Sequence, residues 1–295
     1  MQVISRLTGH SGPVYGLCKG NSEASFFSAS SDGMIAEWNA ETLAGEKFSV
    51  KIGKPVYSLL HLVSKGLLIA GLSDGSFHVI DLTLKKELHH VVFHKGPIFS
   101  LAILENSGWM IAGSSDGTVS VWSTADFTLK LHLPFSTDKI RAVSVSPDEK
   151  LLAIACGDGM IRLLETDFFN LLHEWKAHSM GVNSLCFYAD SNTLISGGKD
   201  AHLNFWSMKD YSLIKSIPAH NYAIYKIAFH PLKNIFATAS RDKTIKTWDA
   251  EKLEIIERMD AKKSSGHKNS VNTLYFTNKG KLISSGDDRT ILIWQ

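Results

Sequence analysis

Two stretches, Gly71-Leu72-Ser73-Asp74-Gly75 and Gly113-Ser114-Ser115-Asp116-Gly117, match G-x-S-x-G, the spacing that lifts a nucleophilic serine out of a sharp strand-to-helix turn. Ser, His and Asp also recur together, as in His10, Ser28 and Asp32, the side chains from which acyl-transfer triads are built. The chain has 13 histidines, with His89-His90 adjacent, and these invite a metal reading. Cys18, Cys156 and Cys186 are odd in number and lack metal-type spacing. No G-x-x-x-x-G-K-[ST] phosphate loop occurs. Whether any of these residues does chemistry depends on the elements that carry them.

Those elements repeat. An Asp in a short turn appears as Ser31-Asp32-Gly33, Ser73-Asp74-Gly75, Ser115-Asp116-Gly117, Gly157-Asp158-Gly159, Lys199-Asp200-Ala201, Arg241-Asp242-Lys243 and Asp287-Asp288-Arg289. Successive Asp residues are 42, 42, 42, 42, 42 and 46 apart. Six residues after each stands a large apolar side chain: Trp38, Ile80, Trp122, Leu164, Trp206, Trp248, Trp294. Within the first unit, Val14 to Lys19, Ser25 to Ser30, Met34 to Asn39 and Glu46 to Lys51 read as strands, by their β-branched and aromatic content and near-alternation. No stretch has the length and 3.6 period of an amphipathic helix. Four strands per unit of about 40–45 residues is the signature of a propeller blade. The expected fold is therefore all-β: one seven-bladed propeller over residues 1–295, made of four-stranded antiparallel blades. The last unit stops after its third strand at Trp294-Gln295, and a strand-like segment, Gln2 to Leu7, precedes the first blade. That N-terminal segment is expected to complete blade seven, removing an open sheet edge.

In this setting the chemical readings weaken. Both G-x-S-x-G matches fall in tight strand-to-strand turns, where no helix follows to form an elbow. Alternation along a strand points the rings of His89 and His90 to opposite faces. Cys18 and Cys186 stand fourteen residues before their turn Asp in separate blades, and read as small apolar residues. No catalytic residue, metal site or cofactor is expected.

Composition sets outer limits. The chain is 44% hydrophobic and 20% charged, which is globular. A net charge of +2 is too mild to argue for nucleic acid, and the aromatic signature of RNA binding is missing. No apolar run approaches a membrane span, and the first residues lack a signal-peptide pattern. A cytoplasmic location is expected, or a nuclear one in a eukaryote.

The sequence resembles the WD-repeat propeller family over essentially its whole length. That family's blades carry a Gly-His pair before the first strand, Ser or Thr in the second, the turn Asp, and Trp in the third. The resemblance implies that these four side chains form a hydrogen-bonded chain inside the blade. Blade one matches with His10, Ser28, Asp32 and Trp38, and blade five with His178, Ser196, Asp200 and Trp206. Blade six supplies His220, Thr238, Asp242 and Trp248, and blade seven His267, Ser284, Asp288 and Trp294. Blade three keeps His94, Asp116 and Trp122 but has Ala112 where Ser belongs. Blades two and four keep only Asp74 and Asp158, with Ile52 and Ser136 at the His positions.

With the framework so explained, function is expected where the repeats vary. The resemblance places the first-strand entrance and the Asp turn on one face. Seventeen residues before the turn Asp (sixteen in blade seven) stand Tyr15, Tyr57, Phe99, Arg141, Asn183, Tyr225 and Asn272. Tyr15, Tyr57 and Phe99 suggest an aromatic arc; Lys139, Arg141, Lys199 and Arg241 suggest a basic one. The expected binding residues are Tyr15, Tyr57, Phe99, Arg141, Lys199, Tyr225 and Arg241, since Tyr, Phe and Arg anchor interfaces. The enlargement Asp260 to Gly266 adds basic reach. The expected role is a non-catalytic scaffold or peptide-recognition module, monomeric by itself, for a protein or peptide bearing acidic or phosphorylated groups. Two alternatives stand beside it. One is a structural subunit bound through outer strands around Phe48, Phe93, Phe127 and Phe168-Phe169. The other is an enzyme using the central channel, for which no acidic or histidine cluster is found.

Overall fold

Every Asp turn has one local geometry. In all seven blades the Asp Oδ1 accepts the backbone N–H of the residue two positions on, from Met34, Ser76, Thr118, Met160, His202, Thr244 and Thr290. This closes a side-chain turn that mimics a backbone one. The intervening residue is left-handed in each case, with φ between 64° and 85°. Glycine meets that demand in four blades. At Gly75 a Cβ would also fall 2.1 Å from the carbonyl oxygen of His94. Ala201, Lys243 and Arg289 hold the same conformation with a side chain.

The computed structural model describes residues 1–188 and 192–295. It contains seven four-stranded antiparallel sheets and one short 3-10 turn, Val63–Lys65. The chain is an all-β, seven-bladed propeller. Blade one is Val14–Lys19, Ser25–Ser30, Met34–Asn39 and Ala44–Lys51. Blade two is Val56–Leu62, Leu67–Leu72, Ser76–Asp81 and Lys86–Val92. Blade three is Ile98–Leu104, Trp109–Ser114, Thr118–Ser123 and Leu129–Pro134, and blade four Ile140–Val145, Leu151–Cys156, Met160–Glu165 and Leu171–Lys176. Blade five is Val182–Phe187, Thr193–Gly198, His202–Ser207 and Leu213–Pro218, and blade six Ile224–Phe229, Ile235–Ser240, Ile245–Asp249 and Glu254–Met259. Blade seven is Val271–Phe276, Leu282–Gly286 and Ile291–Trp294, with Val3–Leu7 as its fourth strand. The register of that last pair runs from Val3 against Trp294 to Leu7 against Ile291, and Gln2 and Gln295 exchange backbone hydrogen bonds.

Burial explains the strand patterns. Second strands such as Ser25–Ser30 and Leu67–Leu72 are buried at every position, because both faces are covered, so they show no period of two. Outer strands such as Leu171–Lys176 alternate between exposed and half-buried after their first residue, where the register shifts. Two compact units divide the chain: residues 1–73, 78–88 and 225–295, and residues 74–77 and 89–224. Within the first, apolar clusters pack blade six against seven (Ala237, Val271, Trp294), seven against one (Leu7, Trp38, Ile283) and one against two (Phe27, Ile35, Val56). Within the second, they pack blade three against four (Ile111, Ile140, Ile154) and four against five (Ile161, Val182, Trp206). No helix among the described residues is long and apolar enough to cross a membrane.

The outer strands correct one expectation. Of the five phenylalanines expected on an exposed edge, only Phe168 stands open, at 79% exposure. Phe127 and Phe169 sit at left-handed turn positions that tuck their rings inward, Phe169 stacking 5.5 Å from Trp109. Phe48 packs edge-on to Phe27 at 5.5 Å, and Phe93 edge-on to Trp122 at 5.2 Å. The exposed apolar residues of the outer strands are aliphatic, and most of them repeat with the blade: Leu129, Leu171, Leu213 and Ile255, joined by Leu88, Leu172, Ile214 and Ile256.

Candidate functional site

The Ser–His–Asp sets are real in geometry and closed to substrate. In blade five the Trp206 indole N–H donates to Ser196 Oγ at 2.9 Å. Ser196 and His178 Nε2 are 2.8 Å apart, and His178 Nδ1 lies 2.9 Å from Asp200. Blade seven repeats this with Trp294, Ser284, His267 and Asp288 at 2.8, 2.8 and 2.9 Å. Blade one does so with Trp38, Ser28, His10 and Asp32 at 2.7, 2.7 and 3.2 Å. A consistent proton assignment has the serine donate to Nε2 and Nδ1–H donate to the carboxylate, so each polar group is paired. Ser28, Ser196 and Ser284 are fully buried, which leaves no path for an acyl donor. Ser73 and Ser115, the central serines of the G-x-S-x-G matches, lie in turns between two strands.

Electrostatics follow from this packing. Burial lowers the affinity of His10 and His94 for a proton, only partly offset by Asp32 and Asp116. Burial opposes ionisation of Asp32, yet N–H groups of Met34 and Ser11, with His10, outweigh it and hold the carboxyl below its usual range. Asp200 and Asp288 are depressed further against the same opposition from burial, chiefly by His178 and His267. These carboxylates are committed to turns and imidazoles. Among the described residues no cluster of His, Cys, Asp or Glu could hold a metal ion. Burial pushes the Cys18 thiol up, and that of Cys156 up to about 11, against the character of a reactive thiolate.

Blade three completes its set from an unexpected place. Ser120, on the third strand, accepts the Trp122 indole N–H at 2.7 Å and lies 2.7 Å from His94 Nε2. It faces Ala112 directly across the strand pair, so the hydroxyl has moved one strand over. The sequence signal was present: position four after the turn Asp is cross-strand from the expected Ser. Blade four uses that same position differently. Arg162 there bridges Asp158 at 3.2 Å and Glu174 at 3.0 Å, while Ser136 Oγ donates to Asp158 at 3.0 Å. Ser120→Ala is expected to cost about 1–3 kcal/mol, by orphaning two buried nitrogens. The double variant with Ala112→Ser should recover part of that loss. Urea melts of the three proteins test this, and an unchanged midpoint for Ser120→Ala would contradict the assignment.

In six of the blades a backbone hydrogen bond places the variable first-strand position and the Asp turn at one end. The residue before the turn Asp donates its N–H to the carbonyl two residues before the variable first-strand position, as Ser31 does to Pro13, Ser73 to Pro55, Ser115 to Pro97, Gly157 to Lys139, Lys199 to Gly181 and Asp287 to Ser270. In the first unit Tyr15 and Tyr57 stack, with centroids 4.8 Å apart and planes 15° off parallel. Burial raises the pKa of the Tyr15 hydroxyl, helped by Tyr57, Asp287 and Tyr225 close by. Asn272 donates to Asp287 at 2.8 Å and to the carbonyl of Val14, the residue before Tyr15, at 3.3 Å. Arg241 is exposed on the turn of the blade whose inner strand carries Tyr225. In the second unit Arg141 lies 4.6 Å over the ring of Phe99. Lys139 and Lys199 are exposed beside it in sequence register. Phe99 thus pairs with a cation, while Tyr15 and Tyr57 pair with each other, a grouping that residue type alone did not indicate. The inserted segment after Asp260 is tied down: Asp260 Oδ1 accepts the N–H of Lys262 and Lys263, and Arg6 donates to the Ser265 carbonyl at 2.8 Å.

A family model described as WD domain, G-beta repeat matches residues 1–39, 85–123, 169–207, 211–249 and 261–295. It passes over 40–84 and 124–168, which hold most of the strands of the two blades lacking His and Trp. A second model, the anaphase-promoting complex subunit 4 WD40 domain, matches residues 119–187. No individual curated protein matches the chain. The repeat matches span more than half of the sequence, and the buried Trp–Ser–His–Asp chains supply the physical basis of the pattern: this chain belongs to the WD-repeat family.

Proposed function

We propose that the protein is a non-catalytic recognition scaffold that holds a protein or peptide partner on the end of the blades formed by the first-strand entrances and Asp turns. The carrying observation is the pair of ready-made contacts there, the Tyr15–Tyr57 stack and the Arg141–Phe99 pair. Stacked tyrosines offer apolar area at little rotamer cost. A guanidinium already lying on a ring loses less freedom when it grips a carboxylate or phosphate. WD-repeat propellers generally serve as protein-interaction scaffolds, and the partial match to a WD40 domain of a complex subunit supports a role inside a complex. On this reading the tyrosine patch takes apolar or aromatic groups, and Arg141 with Lys199 takes acidic or phosphorylated ones. Arg241 offers a further cation on the first unit.

A second reading, attachment through the outer strands, is favoured by the exposed repeats Leu171-Leu172, Leu213-Ile214 and Ile255-Ile256. Affinity purification of the tagged protein from its native cell, with identification of co-purifying proteins, separates the two. Arg141→Glu with Arg241→Glu should reduce partner recovery at least tenfold and flatten its salt dependence, with little change in stability. Tyr57→Ala should weaken recovery with less salt dependence. Full recovery in these variants, with loss in Leu171→Glu and Leu213→Glu, would assign the partner to the outer strands instead.

A further inference from the structure

Blade two breaks the packing rule of its neighbours, and the break leaves a groove. In blade five the third-strand Trp206 and the turn residue Tyr211 fill the space beneath blade four's outer strand, meeting Trp175 at 5.5 Å and His173 at 4.6 Å. In blade three Trp122 and Phe127 do the same against Phe93 and His89, each at 5.2 Å. The equivalent residues of blade two are Ile80 and Lys85. Lys85 holds the same left-handed turn conformation, with φ 52°, that Leu43, Phe127, Phe169, Tyr211 and Leu253 hold in five other blades. Its side chain is exposed rather than tucked in. Ile52 also replaces the framework histidine.

The result is a cavity of about 220 Å³ lined by Phe48, Val50, Ile52, Ile80 and His78, with Lys47, Lys51, Lys85, Lys86 and Glu87 around it. All of these residues belong to the first unit. The outer strand of blade one is distorted at this point. Ala36 pairs with Ser49 but Trp38 with Gly45, so Glu46, Lys47 and Phe48 stand opposite Glu37 alone. In blades three to six the corresponding bulge admits a single extra residue. Edge bulges re-aim side chains, here a lysine and a phenylalanine. The acids nearby are taken: Glu87 lies 2.7 Å from His78 Nδ1, and Glu46 accepts from Asn39 at 2.9 Å. None of the four lysines makes an ion pair among the described residues.

We propose that this groove is a docking site for an acidic peptide segment of a partner protein, which seats one apolar side chain on Ile52, Ile80 and Phe48 and sets flanking carboxylates against the four lysines. The volume is below that of sites for drug-sized ligands and suits one branched or aromatic side chain. Lysines also guard sheet edges against pairing, but the outer strands of blades three, four and five carry one each, Lys130, Lys176 and Lys215. Here four converge on a vacancy with an apolar floor. A nucleic acid fits less well, because the floor is mostly aliphatic and its one phenyl ring, Phe48, is already packed edge-on to Phe27, which leaves no run of aromatic rings for successive bases.

Fluorescence anisotropy with a labelled peptide of one leucine flanked by two aspartates on each side tests the site on the full chain. Saturable binding is expected. It should weaken at least tenfold with Lys51→Glu plus Lys85→Glu, and equally with Ile80→Trp, which fills the cavity with its neighbours' residue and leaves the charge alone. Thermal melts of both variants check folding. Replacing the peptide's leucine by serine should weaken binding at least fivefold, and Arg141→Glu should leave it unchanged. Equal binding of the serine peptide, tighter binding of a uridine oligonucleotide of equal charge, or undiminished binding by the well-folded Ile80→Trp protein would each overturn the proposal.

Discussion

Replacing Trp206 or Trp248 by alanine is expected to destabilise the protein by about 3–5 kcal/mol, the cost of deleting a buried aromatic ring and leaving its cavity. Both indoles are almost wholly buried. Trp206 packs on Trp175 and sits in the cluster that joins blades four and five. Trp248 stacks on Phe236 at 6.0 Å with planes 9° apart. Each also donates its N–H to a buried hydroxyl, Ser196 or Thr238, at 2.9 Å. Loss of the ring therefore removes packing and a hydrogen bond together. Ile80→Ala provides the comparison. Ile80 is buried too, but it has no polar partner to orphan and borders an existing cavity, which places its cost toward the lower end of about 2–5 kcal/mol. Urea denaturation at constant pH ranks the three variants. A larger loss for Ile80→Ala than for either tryptophan would contradict the role given to the hydrogen-bonded chains.

Deletion of residues 1–8 should have an effect at least as large, on the order of 5 kcal/mol, together with aggregation. The deleted strand covers the free edge of Ile291–Trp294 through a run of backbone pairs. It also contributes Leu7 to the cluster that holds Trp38, Ile283, Ile291 and Ile293, and Met1 and Val3 to the one around Trp294. Arg6 goes with it, and with Arg6 its bonds to Thr290 and to the Ser265 carbonyl. Blade seven would be left three-stranded, with an unpaired strand of four buried apolar residues, Ile-Leu-Ile-Trp, at its edge. Scanning calorimetry and size-exclusion chromatography read the outcome. A melting transition equal to that of the full chain, from a monomeric truncated protein, would show that the first strand is dispensable.

The histidines and serines show how far residue type carries. His10, His178 and His267 were assigned to a structural chain by their place in the pattern of the WD-repeat family, and their distances agree. Ala112 was read as a gap in blade three, but Ser120 closes it, because a hydroxyl can reach the same imidazole from either of two paired strands. The phenylalanines were harder. Phe168 and Phe169 are adjacent in sequence, and one is exposed while the other is buried, because φ at Phe169 is 61° and turns its ring under the blade.

What the sequence determined by itself is what short-range physics controls. An Asx turn needs one carboxylate, one N–H two residues on and a residue tolerant of positive φ, all within four positions, so the seven Asp turns and their period were legible directly. Blade count and strand order followed, and the pairing of Val3–Leu7 with Ile291–Trp294 followed from the need to cover an edge. Tertiary structure alone decided which side chains from separate repeats meet. Tyr15 reaches Tyr57, and Arg141 reaches Phe99, across 42 residues in each case. The groove beside Ile80 likewise exists only because two blades pack together and neither fills the space between them. Such contacts depend on how twisted sheets stack and on the volume each leaves to its neighbour, and no single repeat contains that information.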